Sequence, residues 1–446
     1  MRWKRYPAYK KSGVEWLEAI PVDWEVKPLK RVSSINDDTL PEDTDDQFRM
    51  LYVDISSVDE AQGILRKQEL TFEEAPSRAR RLVKHGDVIV STVRTYLRAI
   101  APIVNPENNL VVSTGFAVVR PVDDKFKSTF AAYALRSQPF IESIMRFSVG
   151  VSYPAINSST LGDLPLVLPP RGKQHRIAEF LDCKTSYIDT LIDKKRRQME
   201  LLDEKRIALI TQAVTNGLDP NVKMKDSGVE WLGEVPEHWD LGRLKQTVNG
   251  IMNGIWGDEP EGSSDYWCVR VADFDRIGLS VSPEQQTKRS APQHQLSSRL
   301  LRPYDLLIEK SGGGELQPVG AVVWFPFSAR AACSNFIARI IPKNTFDSRF
   351  LVYVHYHLYQ AKVNTRSIKQ TTGIQNLDAE LYLDELIAYP TRDEQRSIAF
   401  FLDRETARID TLKDKIQHSI ELLQEYRSAL ISAAVTGQID VREEVM

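Results

Sequence analysis

Between residues 395 and 440 mostly apolar side chains return at alternating steps of four and three, with Glu405 and Ser419 the polar exceptions. The series runs Ile398, Leu402, Glu405, Ile409, Leu412, Ile416, Ser419, Leu423, Tyr426 and Leu430. A repeat averaging 3.5 residues is the seam of a helix that packs along another helix. Thr391 and Glu394 precede it at the spacing of a capping box, and no proline or glycine interrupts it before Gly437. Residues 174–219 repeat the segment, without a gap, at an offset of 221 (395 − 174). Ile177/Ile398, Leu181/Leu402, Asp182/Asp403, Ile188/Ile409, Leu202/Leu423, Arg206/Arg427 and Thr215/Thr436 match. The first copy keeps the seam less well, with Lys184, Lys195, Gln198 and Lys205 at equivalent positions. Each helix of about 40 residues would be roughly 60 Å long, more than one small domain covers. The two are therefore expected to pack against each other, rather than each on its own domain, through Ile188, Leu191, Leu202 and Leu209 on one and Ile409, Leu412, Ile416, Leu423 and Leu430 on the other, as a coiled coil if they run antiparallel.

A second repeat lies outside the helices. Residues 11–25 read KSGVEWLEAIPVDWE and residues 226–240 read DSGVEWLGEVPEHWD, offset by 215. Solenoid repeats have far shorter periods, so this is a duplicated domain-sized unit. The order is phrase, variable block, helix, then the same again, a single chain imitating a two-fold dimer. The variable blocks share a plan. Short β-type runs at 50–55 and 266–271 are followed by strands at 85–90 and 303–308, then by 110–121 and 332–342. Helix candidates follow at 128–147 and 348–367, and a last strand ends each block in proline. The expected fold class is α+β: two mixed α/β domains at 1–170 and 218–390, separated by a pair of long antiparallel helices at 171–217 and 391–446.

Loops between the strands carry the residue types that read base edges. The first block offers Ser91, Thr92, Arg94, Tyr96 and Arg98, then Ser152, Tyr153 and Asn157. The second offers Lys310, Ser311, Gly313 and Gln317, then Arg366, Lys369, Gln370, Thr372, Gln375 and Asn376. Arg can bond guanine bidentately, Asn and Gln can bond adenine, and Gly admits close backbone approach. Such loops also occur as plain solvated turns. Arg78, Arg80, Arg81 and Lys84 are candidates for holding phosphates, or an exposed face without a role.

The net charge of −3 means that any positive binding surface must be local. Acidic residues Asp37, Asp38, Glu42, Asp43, Asp45 and Asp46 read as a solvated loop. Cys183, Cys268 and Cys333 are far apart, without zinc or disulfide spacing, and no long apolar run suggests a signal peptide or membrane span. A cytoplasmic location is expected. The chain lacks the phosphate loop, dinucleotide fingerprint, HExxH and amino-methyltransferase motifs. His355 and His357 stand without a third ligand in the sequence pattern and read as packing residues rather than a metal site.

The repeated GVEWL…P..W phrase, with helices reading Gln-x-x-Ile-Ala-x-Phe-Leu-Asp and ending in Ala-Val-Thr, resembles the specificity subunit of type I restriction–modification systems over essentially the whole chain. Departures are small: Gly172 and Lys173 stand where the second copy has Asp393 and Glu394, and Thr215 is followed by Asn216-Gly217 where the second copy has Gly437 directly after Thr436. The resemblance implies two target recognition domains that each read half of a bipartite, asymmetric site in double-stranded DNA. The helices would set their spacing, and the chain would carry no active site of its own. Two methyltransferase subunits and, through them, restriction and translocation subunits would be the partners, supplying the S-adenosylmethionine, ATP and Mg sites. Trp16, Trp24, Trp231 and Trp239 would anchor the subunit interface. A coiled-coil scaffold with peptide-recognising domains and a stand-alone DNA-binding regulator are the competing readings.

Overall fold

A computed structural model describes residues 3–60, 62–262, 265–371 and 373–442. Two long helices dominate it, a central one over Arg171–Asn216 and a C-terminal one over Arg392–Val435. Two compact units emerge: Met1–Arg196 with Gln417–Met446, and Arg197–Ile416. Each unit thus takes one domain, half of the central helix and half of the C-terminal helix, cutting across the linear division expected from the sequence.

Within each unit the helices run antiparallel and are held by the same pair of residues. In the first, Arg427 Nε and Nη2 bond the Asp189 carboxylate at 2.9 and 3.2 Å. In the second, Arg206 bonds Asp410, and Lys413 Nζ bonds Asp203 at 2.5 Å. Arg206 and Arg427 are copies of one another, as are Asp189 and Asp410, 221 positions apart.

The seam itself corrects the expected one. Ile188, Ile409 and Leu430 are buried, and Leu191, Leu202, Leu209, Ile416 and Leu423 are half-buried, but Leu412 is 41% exposed. The buried line passes instead through Leu402, Thr406, Ile409, Lys413, Ile416, Ile420, Leu423, Arg427 and Leu430, and in the central helix through Thr185, Ile188, Ile192 and Arg206. Every second seam position is one residue later than expected (406, 413, 420 and 427, not 405, 412, 419 and 426). Polar residues occupy several of these positions because their aliphatic stems fill the seam while their heads reach carboxylates or carbonyls.

The two domains repeat one topology. In the first, antiparallel strands are ordered Ile100–Pro102, Val88–Ser91, Phe116–Pro121 and Ser33–Ile35; a second sheet pairs Arg49–Val53 parallel to Leu110–Ser113. In the second, Leu306–Glu309 and Ile337–Pro342 lie adjacent, and Asp265–Val269 pairs parallel to Ala331–Cys333. The helix expected over 128–147 is two helices, Ser128–Ala134 and Gln138–Arg146; a helix interior does not accommodate the ring of Pro139, which sits in the first turn of the second piece. Its counterpart, Ser348–Gln360, stops before a 3-10 turn at Val363–Ser367.

The repeated phrase has a geometric purpose. Trp24 and Trp239 are fully buried. A Cβ on Gly437 would meet Pro21 at 2.5 Å and Trp24 at 3.2 Å, and one on Gly217 would meet Trp239 at 3.4 Å. Each phrase therefore packs its Pro and Trp on the left-handed glycine (φ +75 and +76) that ends the other repeat's helix. Enclosed side chains offer no surface to another subunit, so Trp24 and Trp239 are internal anchors. Trp16 and Trp231 are half-buried, and Trp231 stands 5.8 Å from the His357 ring. The Lys173/Glu394 departure inverts an ion pair at this junction. Lys173 pairs with Asp23 at 2.5 Å, whereas Glu394 meets His238 at 2.9 Å and accepts from Trp239 Nε1 at 3.1 Å.

Candidate nucleic-acid interface

In the first domain the two candidate segments converge. Val93 bridges Ala155, Thr95 Oγ1 lies 2.9 Å from Ser148 Oγ, and the Arg94 guanidinium stands 5.0 Å over the Tyr153 ring. Arg94 and Arg98, both at φ 51, bracket a 3-10 turn over Thr95–Leu97. Arg94, Tyr96, Ser152 and Tyr153 are exposed. Around them stand apolar side chains that the sequence did not single out, Phe147, Val149 and Val151, the last fully exposed. Such groups can contact thymine methyls or wedge between base steps.

Four expected contacts in this domain turn inward or elsewhere. Ser91 and Thr92 are buried and donate to the carbonyls of Val93 (2.6 Å) and Gly115 (2.9 Å), because a hydroxyl leaving a central strand must find a partner. Asn157 caps Ser158–Asp163, accepting from Thr160 N at 2.7 Å. Arg98 bonds Glu60 at 3.3 Å and Gln138 at 3.2 Å in a cleft it shares with Arg427 and Ser432 of the C-terminal helix. The basic stretch is similarly engaged. Arg78 donates to Tyr52 Oη at 3.1 Å, Arg80 lies 4.5 Å over Phe72, and Lys84 pairs with Asp38 at 2.7 Å. Asp38 also holds Arg120 at 2.7 Å, so this carboxylate, held below its usual range by Lys84 and Arg120, is a bracing group rather than loop decoration.

The second domain joins its segments by a small sheet. Ser311–Gly312 pairs with Ile374–Leu377, which pairs with Ile368–Thr371. Lys310 N donates to Phe336 O and Lys310 O accepts from Leu377 N, both at 2.8 Å. Lys310 Nζ donates to Asn253 Oδ1 at 2.7 Å, and Ser311 Oγ to Asn376 Oδ1 at 2.6 Å. Gly313 has φ +60, with Val319 N 2.9 Å from where a Cβ would stand, so only glycine fits this turn. Gln317 and Lys369 are exposed, Lys369 bonding Asp378 at 2.7 Å. Beneath the loop, buried Glu309 pairs with Arg276 at 2.6 Å, and burial raises its carboxyl above the usual range.

Here too some expectations are corrected. Gln375 is buried and accepts from Val319 N at 3.3 Å, a backbone donor with no other partner to hand. Arg366 lines a cleft with Val229, Trp231, Arg243 and Glu385, toward the repeated phrase and not the loops. Thr372 and the Gln370 side chain lie outside the described residues. Asn253, Phe336, Leu316 and Ile374 are exposed at or beside these loops and were not singled out. The pair Asn253 and Gly254 was a usable signal, since a Cβ on Gly254 would fall 2.1 Å from Ser334 O. His355 and His357 are core residues, 2.7 Å from Tyr382 Oη and 3.1 Å from Thr211 Oγ1 respectively. Among the described residues no helix is long and apolar enough to cross a membrane.

Residues 21–201 match the type I restriction modification DNA specificity domain. The type I restriction enzyme MjaIX specificity subunit of Methanocaldococcus jannaschii is 22% identical over 443 residues, 95% of each chain. The EcoBI specificity subunit of Escherichia coli is 26% identical, over 71% of this chain and 67% of that one. In fold, the chain resembles one in a solved structure concerned with assembly and conformational transition of the type I system (TM-score 0.72, 22% identity, 94% of this chain and 99% of that one). It also resembles the HsdS subunit from Thermoanaerobacter tengcongensis (TM-score 0.53, 22% identity, 94% and 98%). In its duplicated phrases, its antiparallel long helices and these comparisons, the chain is similar to the specificity subunits of type I restriction–modification systems, and its residues 21–201 match their DNA specificity domain.

Proposed function

We propose that this chain is the sequence-reading subunit of a type I restriction–modification complex, each domain reading one half of a bipartite, asymmetric site in double-stranded DNA. The observation that supports this best is the convergence, in both domains, of two separate segments into one loop cluster: exposed Arg94, Tyr96 and Tyr153 in the first, half-buried Lys310 with exposed Gln317 and Lys369 in the second. Arg, Lys and Gln supply base-edge and phosphate contacts, and exposed aromatic and branched side chains supply stacking and methyl contacts. The chain itself does no chemistry. Two methyltransferase subunits, carrying S-adenosylmethionine, would flip and modify an adenine that this subunit positions, and restriction subunits joined through them would use ATP and Mg.

Mapping of methylated adenines in a host expressing the chain with its methyltransferase tests this. Arg94→Ala or Tyr153→Ala is expected to relax one half-site and leave the other unchanged, and Lys310→Ala to do the reverse. A base contact is worth about 1–3 kcal/mol of discrimination, roughly 10- to 100-fold at the affected position. Equal loss at both halves in all three variants would reject independent reading by the two domains.

A further inference from the structure

The duplication lets charged groups at matching places in the two domains be compared, and the turn before strand Leu306–Glu309 differs from its counterpart. In the first domain three cations around the turn at Gly86 and the start of the central helix are matched: Arg171 by Asp123 at 2.9 Å, Lys84 by Asp38 at 2.7 Å, and Arg120 by Asp87 at 2.8 Å. At the corresponding place the second domain has an open cleft of about 910 Å³. Its floor keeps the buried pair, Arg339 with Asp305 at 2.6 Å. Its rim has no acid at the place of Asp123, and the acid it does carry, Asp347, caps the helix at Ser348, accepting from Arg349 N at 3.0 Å and Phe350 N at 3.2 Å. Counting from Pro121 and Pro342, Lys343 stands for Val122 and Asn344 for Asp123. Lys343 and Arg392, the counterpart of Arg171, therefore have no carboxylate partner among the described residues. Arg302, the counterpart of Lys84, adds a third cation, exposed like Arg392 whereas Lys343 is half-buried, and the nearby Asp305 is already committed to Arg339 and to the Arg302 backbone (2.6 Å).

The turn itself is altered in the same direction. Gly86 (φ +89) is replaced by Tyr304, which keeps the left-handed backbone at φ +75 although a bulky side chain disfavours it. Tyr304 is 60% exposed and stacks on Trp324 at 5.8 Å, and Trp324 carries the Arg349 guanidinium 4.3 Å over its ring. Arg349 is itself paired with Asp403, but Tyr, Trp and Arg at the mouth of a cleft are the residues that dominate protein interfaces, and the guanidinium groups of Arg302 and Arg392 with the Lys343 ammonium favour carboxylates. The cleft opens at the end of strands Leu306–Glu309 and Ile337–Pro342 opposite Lys310 and Phe336, so it faces away from the loop cluster.

We propose that this cleft binds an acidic segment of a partner protein, at a site that the second domain has and the first lacks. The proposal rests on reading the chain as a subunit held by other proteins, but its test does not depend on methylation. A fluorescently labelled deca-glutamate peptide is titrated onto the full-length chain at low and high salt. Binding is expected to weaken by about tenfold or more with Lys343→Glu/Asn344→Asp, one unfavourable charge contact being worth at least 1.4 kcal/mol. Asn344→Asp alone, near-isosteric and copying the first domain's own acid, should weaken it partly. Lys84→Glu, at the matched place in the first domain, should leave it unchanged. Absence of peptide binding to the unaltered chain, or binding insensitive to both variants, overturns the proposal. So does a result in which the double variant loses a short random-sequence duplex and not the peptide, since the cleft would then hold DNA phosphates. If methylation mapping shows no guided sites while the peptide result holds, the functional reading fails and the cleft assignment stands.

Discussion

His355 and His357 occupy, in the second domain, the places of Leu135 and Ser137 in the first, counting from the helix starts at Ser348 and Ser128. Burial pushes both imidazoles down to about 4, with Tyr382 stacked against one and Thr211 and Trp231 against the other. A folded-state value below the unfolded 6.5 means that the unfolded chain binds more protons between these limits. The stability contributed by the neutral histidines is thus complete above pH 6.5 and is lost as the pH falls toward 4, by at most about 3 kcal/mol each. Amide exchange in Ser348–Gln360 should accelerate across that window more than in Ser128–Ala134, and His355→Leu should remove much of the difference. Equal pH dependence in the two helices would contradict this. Single residues were the least legible part of the sequence. Tyr153 and Lys310 stand in loops of residue types that can contact bases, yet Ser91, Thr92 and Gln375 look no different in sequence. Only the strand geometry reveals that their polar atoms are spent on carbonyls and amides.

At the scale of elements, the long helices were legible because a 3.5 repeat sustained over a dozen turns has no other reading. The alternate seam positions were displaced by one residue for an equally physical reason. Lys413 and Arg427 look like solvent-facing residues, and Leu412 and Tyr426 like core, until the carboxylates on the opposite helix are known. The two matched ion pairs differ in environment. The Arg206 side chain is 6% exposed, that of Arg427 16%. Removing a carboxylate from a buried guanidinium leaves an uncompensated charge, whereas a partly hydrated one finds water. Asp410→Asn should therefore destabilise the second unit by about 1–3 kcal/mol and Asp189→Asn the first by less than about 1. Amide exchange in each half of the central helix measures both; the reverse order would show that Arg206 is satisfied by its bonds to the Ile277 and Thr406 carbonyls.

At the scale of the whole molecule, duplication was legible from two phrases and two helices. What the sequence concealed is that each phrase closes on the other repeat's helix end. That follows from Pro21 and Trp24 meeting Gly437 and from Trp239 meeting Gly217, contacts between residues hundreds of positions apart or across a helix terminus. Each unit is thus built from both helices, and under the proposed function those helices would fix the distance between the half-sites. A heptad inserted at matched points in both helices keeps the seam in phase and lengthens each by roughly 10.5 Å at 1.5 Å per residue. Mapping methylated adenines in a host carrying that variant should show both half-sites unchanged and the spacer longer by about three base pairs at 3.4 Å each. An unaltered spacer between the same half-sites would contradict the account.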